Sequence, residues 1–127
     1  VNSIAHGTIA KGRYSELLAQ TALLANGWTV AEPITPEPYD IIARNPKTGR
    51  WHSIQVKTAR VRDDRKGEIV VYAKKNNGKA YTLEETDFFI GVLGQEVYMF
   101  KNRGIGEYWV KPELVERKWR KLTTALI

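Results

Sequence analysis

The sequence predicts a single mixed α/β domain, and three observations carry that prediction. A segment near the start has helical apolar spacing, a series of short β-like runs punctuated by turn residues follows it, and a second helix-like segment closes the chain. The length of 127 residues is that of one domain, 1–127, large enough to bury a core. A hydrophobic content of 43% beside 27% charged residues is that of a globular protein and excludes a disordered one.

The first helix is expected over roughly Lys11 to Asn26, with Tyr14, Leu17, Leu18, Thr21, Ala22 and Ala25 as its buried stripe. Gly27 ends it, because glycine tolerates the left-handed cap conformation. Trp28 to Ala31 reads as a short strand, and Pro33, Pro36 and Pro38 force the next stretch into an extended loop. Tyr39 to Arg44 and Trp51 to Thr58 are two strands joined by Asn45-Pro46-Lys47-Thr48-Gly49-Arg50, a turn-rich connection that favours a hairpin. Glu68 to Tyr72 reads as a further strand, and Asn76-Asn77-Gly78-Lys79 as a loop. Thr82-Leu83-Glu84-Glu85 has a capping-box pattern and predicts a single helical turn. Asp87 to Leu93 and Glu96 to Phe100 are two apolar strands about Gly94-Gln95. Pro112 stands at a plausible first helical position, and Val115, Trp119, Leu122 and Leu126 mark the apolar face of a terminal helix over about 111–126. The core of the domain is thus expected at about 11–100.

The charge balance narrows the partners. A net charge of +6 suits a polyanion. From Lys57 to Lys79 eight basic residues face three acids, and from Lys101 to the end seven face three. Absent cysteine excludes disulfides and thiolate-bound zinc, which fits a reducing compartment. No apolar run approaches membrane-spanning length, and no charged-then-apolar leader opens the chain. A cytoplasmic, nucleoid-associated protein without a membrane partner is expected.

The hairpin carries the chemistry. If Asp40 lies opposite Gln55, then 41 faces 54 and 43 faces 52, and alternation puts Gln55 and Lys57 on one face with Ile54 and Val56 on the other, in the core. An acid, an amide and a lysine then meet at one sheet edge. Mg²⁺ prefers oxygen ligands and keeps several waters. Asp40 can offer a carboxylate, Gln55 an amide oxygen, and the Gln55–Val56 backbone a carbonyl. Lys57 can orient or deprotonate a water, or neutralise a phosphate beside the cation. Glu16, early in the first helix, can turn towards the same edge; alone it reads as a partner of the helix dipole. His52 falls on the opposite face and reads as structural.

The order of helix with Glu16, strand with Asp40, strand with Gln55-x-Lys57 and then basic loops resembles the PD-(D/E)XK nuclease superfamily, over roughly Lys11 to Phe100. That superfamily includes restriction enzymes, Holliday-junction resolvases and intron homing endonucleases. The wording Ile54-Gln55-Val56-Lys57-Thr58 is most similar to a subgroup with a homing endonuclease in which Gln replaces the usual acid. Tyr39 interrupts the nominal Pro-Asp pair. The resemblance implies a restriction-endonuclease-like core, a mixed sheet flanked by helices, and a metal-dependent endonuclease acting on DNA phosphodiesters, of homing, restriction or junction-resolving type. It implies catalytic roles for Glu16, Asp40, Gln55 and Lys57, with Mg²⁺ or Mn²⁺ held by Asp40, Gln55 and Glu16. The alternative is a catalytically inactive nuclease-fold module that only binds DNA.

For duplex or branched DNA, the phosphate clamps are expected at Arg60, Arg62, Arg65, Lys66, Lys74, Lys75 and Lys79. Arg62-Asp63-Asp64-Arg65 reads equally as a self-neutralising turn, and Asn76-Asn77-Gly78 as a turn before a base reader. Trp119, Tyr72, Tyr81 and Tyr98 are expected in the core. An enzyme that cuts both strands is expected to be a homodimer or higher oligomer.

Overall fold

A computed structural model describes residues 7–126. Its single long helix, α1 (Thr8–Ala25), is followed by strands β1 (Thr29–Ala31), β2 (Ile41–Arg44), β3 (Trp51–Arg62), β4 (Glu68–Tyr72), β5 (Phe88–Leu93), β6 (Glu96–Lys101) and β7 (Glu107–Val110). A one-turn helix α2 (Val115–Lys118) and a last strand β8 (Arg120–Leu122) end the chain. The strand order is β1-β2-β3-β5-β6-β8. Among the described residues only β3 and β5 run parallel, and every other strand pairing is antiparallel.

β3 is the organising strand. Its first residues pair with β2, Ile54 to Thr58 pair with β5, and Ala59 to Arg62 leave the main sheet to pair with β4. β4 in turn carries β7. The mixed sheet therefore curls, and two cores form on its two faces. On one, Ala19, Ala22 and Leu23 of α1 pack on Ile41, Ile54, Val56 and Ile90. On the other, Phe89, Tyr98 and Phe100 are closed in by Val71, Tyr108 and Trp119. Gly91 permits this closeness, since a Cβ there would lie 2.9 Å from Val71 Cγ2.

The helix C-terminus follows its sequence signal. Gly27 is left-handed (φ 84°), its N–H bonds Leu24 O, and Trp28 N–H bonds Leu23 O, the paired bonds of a Schellman cap. The buried face is rotated from the one predicted. Ser15, Ala19, Ala22 and Leu23 are buried, whereas Tyr14, Leu17 and Thr21 face outward. Small side chains at 15, 19 and 22 let the helix lie close to the sheet, and its apolar residues surround the axis, so periodicity alone did not select a face.

Three further expectations change. The strand expected to end at Thr58 continues to Arg62, placing Arg60 and Arg62 on a strand. The turn at 82–85 is not helical, but its capping chemistry is present, with Glu85 accepting a hydrogen bond from Thr82 N–H at 2.9 Å. The terminal helix expected over about 111–126 is realised as a 3-10 turn at Pro112–Leu114, the single turn of α2, and β8. Trp119 turns to extended backbone (φ −119°, ψ 142°), and Arg120 to Leu122 complete the open edge of β6, pairing Val97 with Leu122. Strand pairing thus satisfies backbone groups that a short exposed helix would leave to water. The second sheet face is covered by β4, β7 and α2 rather than by a second long helix.

Candidate nuclease site

The hairpin register is the expected one. Ile41 pairs with Ile54 and Ala43 with His52, so Asp40 comes level with Gln55. Ile54 and Val56 are buried in the core under α1, while Gln55 and Lys57 are half-buried on the alternate face. β2 parts from β3 at Asp40. The Asp40 N–H still donates to Ile54 O at 2.9 Å, but the next N–H of β3, that of Val56, donates to Asp40 Oδ2 at 3.0 Å. The carboxylate thus replaces a backbone acceptor and is fixed between the residues that flank Val56, Gln55 and Lys57.

Glu16 reaches the site from α1. Ser15, its buried neighbour, shares a 3.2 Å hydrogen bond with Thr58, the neighbour of Lys57, tying helix to strand at this level. Glu16 and Asp40 line one cleft of about 230 Å³ with Arg13, Glu32 and Tyr39. Gln55 and Lys57 do not line that cleft; they stand beyond it along β3. Burial pushes the Asp40 carboxyl above the usual range, the Val56 N–H opposes this, and Glu16 and Glu32 add to the rise while Lys57 reduces it. The charges of both Glu16 and Lys57 are therefore felt at Asp40.

Two features of the site were not legible in the sequence. Arg13 forks between Glu16 (3.1 Å) and Glu32 (2.9 Å), and Gln20 also bonds Glu32. The hydrogen bonds from Gln20 and then Arg13 lower the Glu32 carboxyl. The i, i+3 spacing of Arg13 and Glu16 was the one available signal; Glu32 gave none. Lys57 also has an unforeseen seat. Its Nζ lies 5.1 Å from the centre of the Tyr81 ring and 3.5 Å from Lys74 O. Tyr81 is itself fixed edge-on against Phe89, ring centres 5.4 Å apart.

Among the described residues, no three of His, Cys, Asp and Glu converge closely enough to hold a metal ion. A cation here therefore needs the Gln55 amide or a backbone oxygen beside the carboxylates. Such hard oxygen donors fit Mg²⁺ or Mn²⁺. The cleft is also short of positive charge, with four carboxylates (Glu16, Glu32, Glu37 and Asp40) and one arginine lining it, and the half-buried Asp40 is the carboxylate a cation would relieve.

The expected phosphate clamps divide into two groups. Arg62 forks onto Asp64 at 2.8 and 2.7 Å, which holds the Asp64 carboxyl down at about 2. Arg65 bonds Glu68 (3.1 Å) and Glu107 (2.7 Å), and Lys75 bonds Glu85 (2.9 Å). Arg60, Lys66, Lys74 and Lys79 are exposed and have no carboxylate partner among the described residues. Asn77 accepts from Lys79 N–H at 2.9 Å, a turn bond. His52 packs on Phe88 at 5.2 Å, a structural placement. Trp119, Tyr81 and Tyr98 are buried as expected, but Tyr72 is 48% exposed under Lys74 because it lies on the outer face of β4.

The family profile described as PD-(D/E)XK endonuclease matches residues 6–119. Among solved structures, the bacterial homing endonuclease I-Ssp6803I is similar with a TM-score of 0.63 and 22% identity, over 82% of this chain and 75% of that one. At that identity the likeness is one of fold, a restriction-endonuclease-like core. No curated protein matches the sequence significantly.

Proposed function

Because the chain belongs to the PD-(D/E)XK endonuclease family, we propose that it hydrolyses DNA phosphodiester bonds with a divalent cation, Mg²⁺ or Mn²⁺. The observation that carries this reading is the Asp40 carboxylate held on Val56 N–H between Gln55 and Lys57. Asp40, Glu16 and the Gln55 amide oxygen would hold the cation. When bound, it supplies positive charge to the scissile phosphate and acidity to a water. Lys57, seated on Tyr81 and Lys74 O, places an ammonium where negative charge grows on the phosphate. Arg60, Lys66, Lys74 and Lys79 provide contacts to the phosphate backbone, while Arg62, Arg65 and Lys75 brace the surrounding turns. Cutting both strands requires two such sites, hence a homodimer or higher oligomer. No helix of the described residues is long and apolar enough to cross a membrane.

The test is cleavage of linear duplex, four-way junction, single-stranded DNA and RNA across a Mg²⁺ and Mn²⁺ series. Cation-dependent DNA cutting that Asp40→Ala abolishes is expected, and the preferred substrate separates homing or restriction cutting from junction resolution. Cation-independent cutting, or activity that survives Asp40→Ala, would overturn the proposal. DNA binding without cutting under every condition would leave the inactive binding module as the reading.

A further inference from the structure

A groove of about 580 Å³ opens between the end of β6, β7 and α2, lined by residues that the catalytic reading does not use. Lys101, Arg103 and Lys118 stand around it. None of the three has a carboxylate partner among the described residues. The acid of the groove, Glu107, is already engaged by Arg65 at 2.7 Å. The wall is apolar and partly open, with Trp109 at 50% and Ile105 at 37% exposure. Beneath lies a rigid aromatic floor, Phe100 stacked on Trp119 (4.6 Å between centres, 24°) and against Tyr108 (4.8 Å).

The loop that carries Arg103 is held before any ligand arrives. Buried Asn102 donates to Thr82 O and Thr86 O at 2.9 Å and accepts from Gly104 N–H at 2.9 Å. Tyr108 Oη accepts from Arg103 N–H at 2.8 Å. A pre-ordered groove loses little conformational freedom on binding.

The groove also connects to the site. Lys74, whose carbonyl lies 3.5 Å from Lys57 Nζ, lays its side chain on Gly106 so tightly that a Cβ there would be 2.6 Å from Lys74 Cε. Gly106 belongs to the loop between Arg103 and β7. Lys74 therefore touches both the seat of Lys57 and the loop that leads from Arg103 to β7, while Lys101, Arg103 and Lys118 stand around the groove. Three cations around a partly exposed aromatic wall suit a ligand that carries several anions with flat apolar groups between them. In a duplex those flat faces are hidden by stacking, whereas an unpaired strand leaves them free for Trp109.

We propose that this groove binds a single-stranded segment of DNA, with phosphates on Lys101, Arg103 and Lys118 and a base against Trp109 and Ile105. That this segment flanks the bond to be cut rests on the nuclease reading; the binding itself does not. The test is fluorescence anisotropy in EDTA with a blunt duplex, the same duplex bearing a single-stranded tail of about five nucleotides, and the free single strand. The tail should tighten binding about tenfold or more, and Trp109→Ala should lose most of that gain. The triple variant Lys101→Ala, Arg103→Ala, Lys118→Ala should flatten the slope of log affinity against log salt for the tailed duplex by about two. Equal affinity for tailed and blunt duplexes would overturn the proposal, as would variants that keep the full tail advantage. Equal losses on both substrates would also overturn it, and would assign the groove to duplex backbone. The two readings fail separately: tail-dependent binding by a protein that never cuts refutes the nuclease reading alone, and Asp40-dependent cutting without a tail effect refutes the groove alone.

Discussion

Asp40 is the residue at which stability and chemistry oppose each other. Its carboxylate is half-buried beside Glu16 and Glu32 and has its pKa raised, chiefly by burial. The folded state then holds the Asp40 proton more tightly than the unfolded chain does. At neutral pH the charged form carries the full cost, and the cost fades as pH falls through the raised folded value towards the unfolded one. Asp40→Asn keeps an acceptor for Val56 N–H without the charge. It should abolish cleavage yet raise the metal-free melting temperature at pH 7, with the advantage shrinking near pH 4; a melting series over pH checks the sign. On the proposed reading, Gln55 leaves the cation site one negative charge short of a third carboxylate. Native protein should therefore need about millimolar Mg²⁺, and Gln55→Glu should lower that requirement several-fold, read by titrating cleavage and by calorimetry. An unchanged requirement would remove Gln55 from the cation's ligands. Pairing of Asp40 with Gln55 was legible because strand alternation and the Asn45–Arg50 turn leave one register that buries Ile41, Ile54 and Val56 together. Glu32 and Tyr81 were not, since each acts across the fold on a residue distant in sequence and has no spacing signal of its own, and Arg13 showed only its i, i+3 spacing to Glu16.

At the scale of elements, the close approach of the curled sheet's two layers is the constraint to test. Gly91→Ala should cost about 1–3 kcal/mol in urea unfolding, because the added methyl meets Val71. Val71→Ala should offset part of that loss in the double variant, giving a favourable coupling energy. Additive losses would mean that Val71 does not limit the approach. β8 makes the second test. Leu122 is 1% exposed and packs in the core shared with α1, so Leu122→Ala should cost about 2–5 kcal/mol. A loss below about 1 kcal/mol would mean that the segment is frayed in solution. The spacing of Val115, Trp119 and Leu122 suits a helix when read alone, and the unfilled edge of β6 decides otherwise. β7 was overlooked because Glu107-Tyr108-Trp109-Val110 does not alternate polar and apolar in sequence, although its burial alternates, and four residues give a weak signal.

For the whole molecule, the proposed cation site would link cation binding to folding. If Glu16, Asp40 and Gln55 assemble a cation site only in the native fold, Mg²⁺ at about 100 times its dissociation constant should stabilise the protein by about 2.7 kcal/mol. A melting temperature that rises with Mg²⁺ in native protein and stays flat in Asp40→Ala is the expected result. An equal rise in both would mark a general salt effect. The same measurement needs no DNA, so it tests the site apart from the substrate.

By itself the sequence determined the class of fold, the hairpin register and the residue types that meet along it, because alternation over a few positions and turn chemistry act locally. Tertiary structure alone decided which face of α1 is buried, that the last segment ends as a strand, that Arg13 bridges two acids, and where Lys57 rests. Those choices depend on surfaces contributed by residues far apart in the chain, and the lowest free energy among them is reached only when every layer is packed at once.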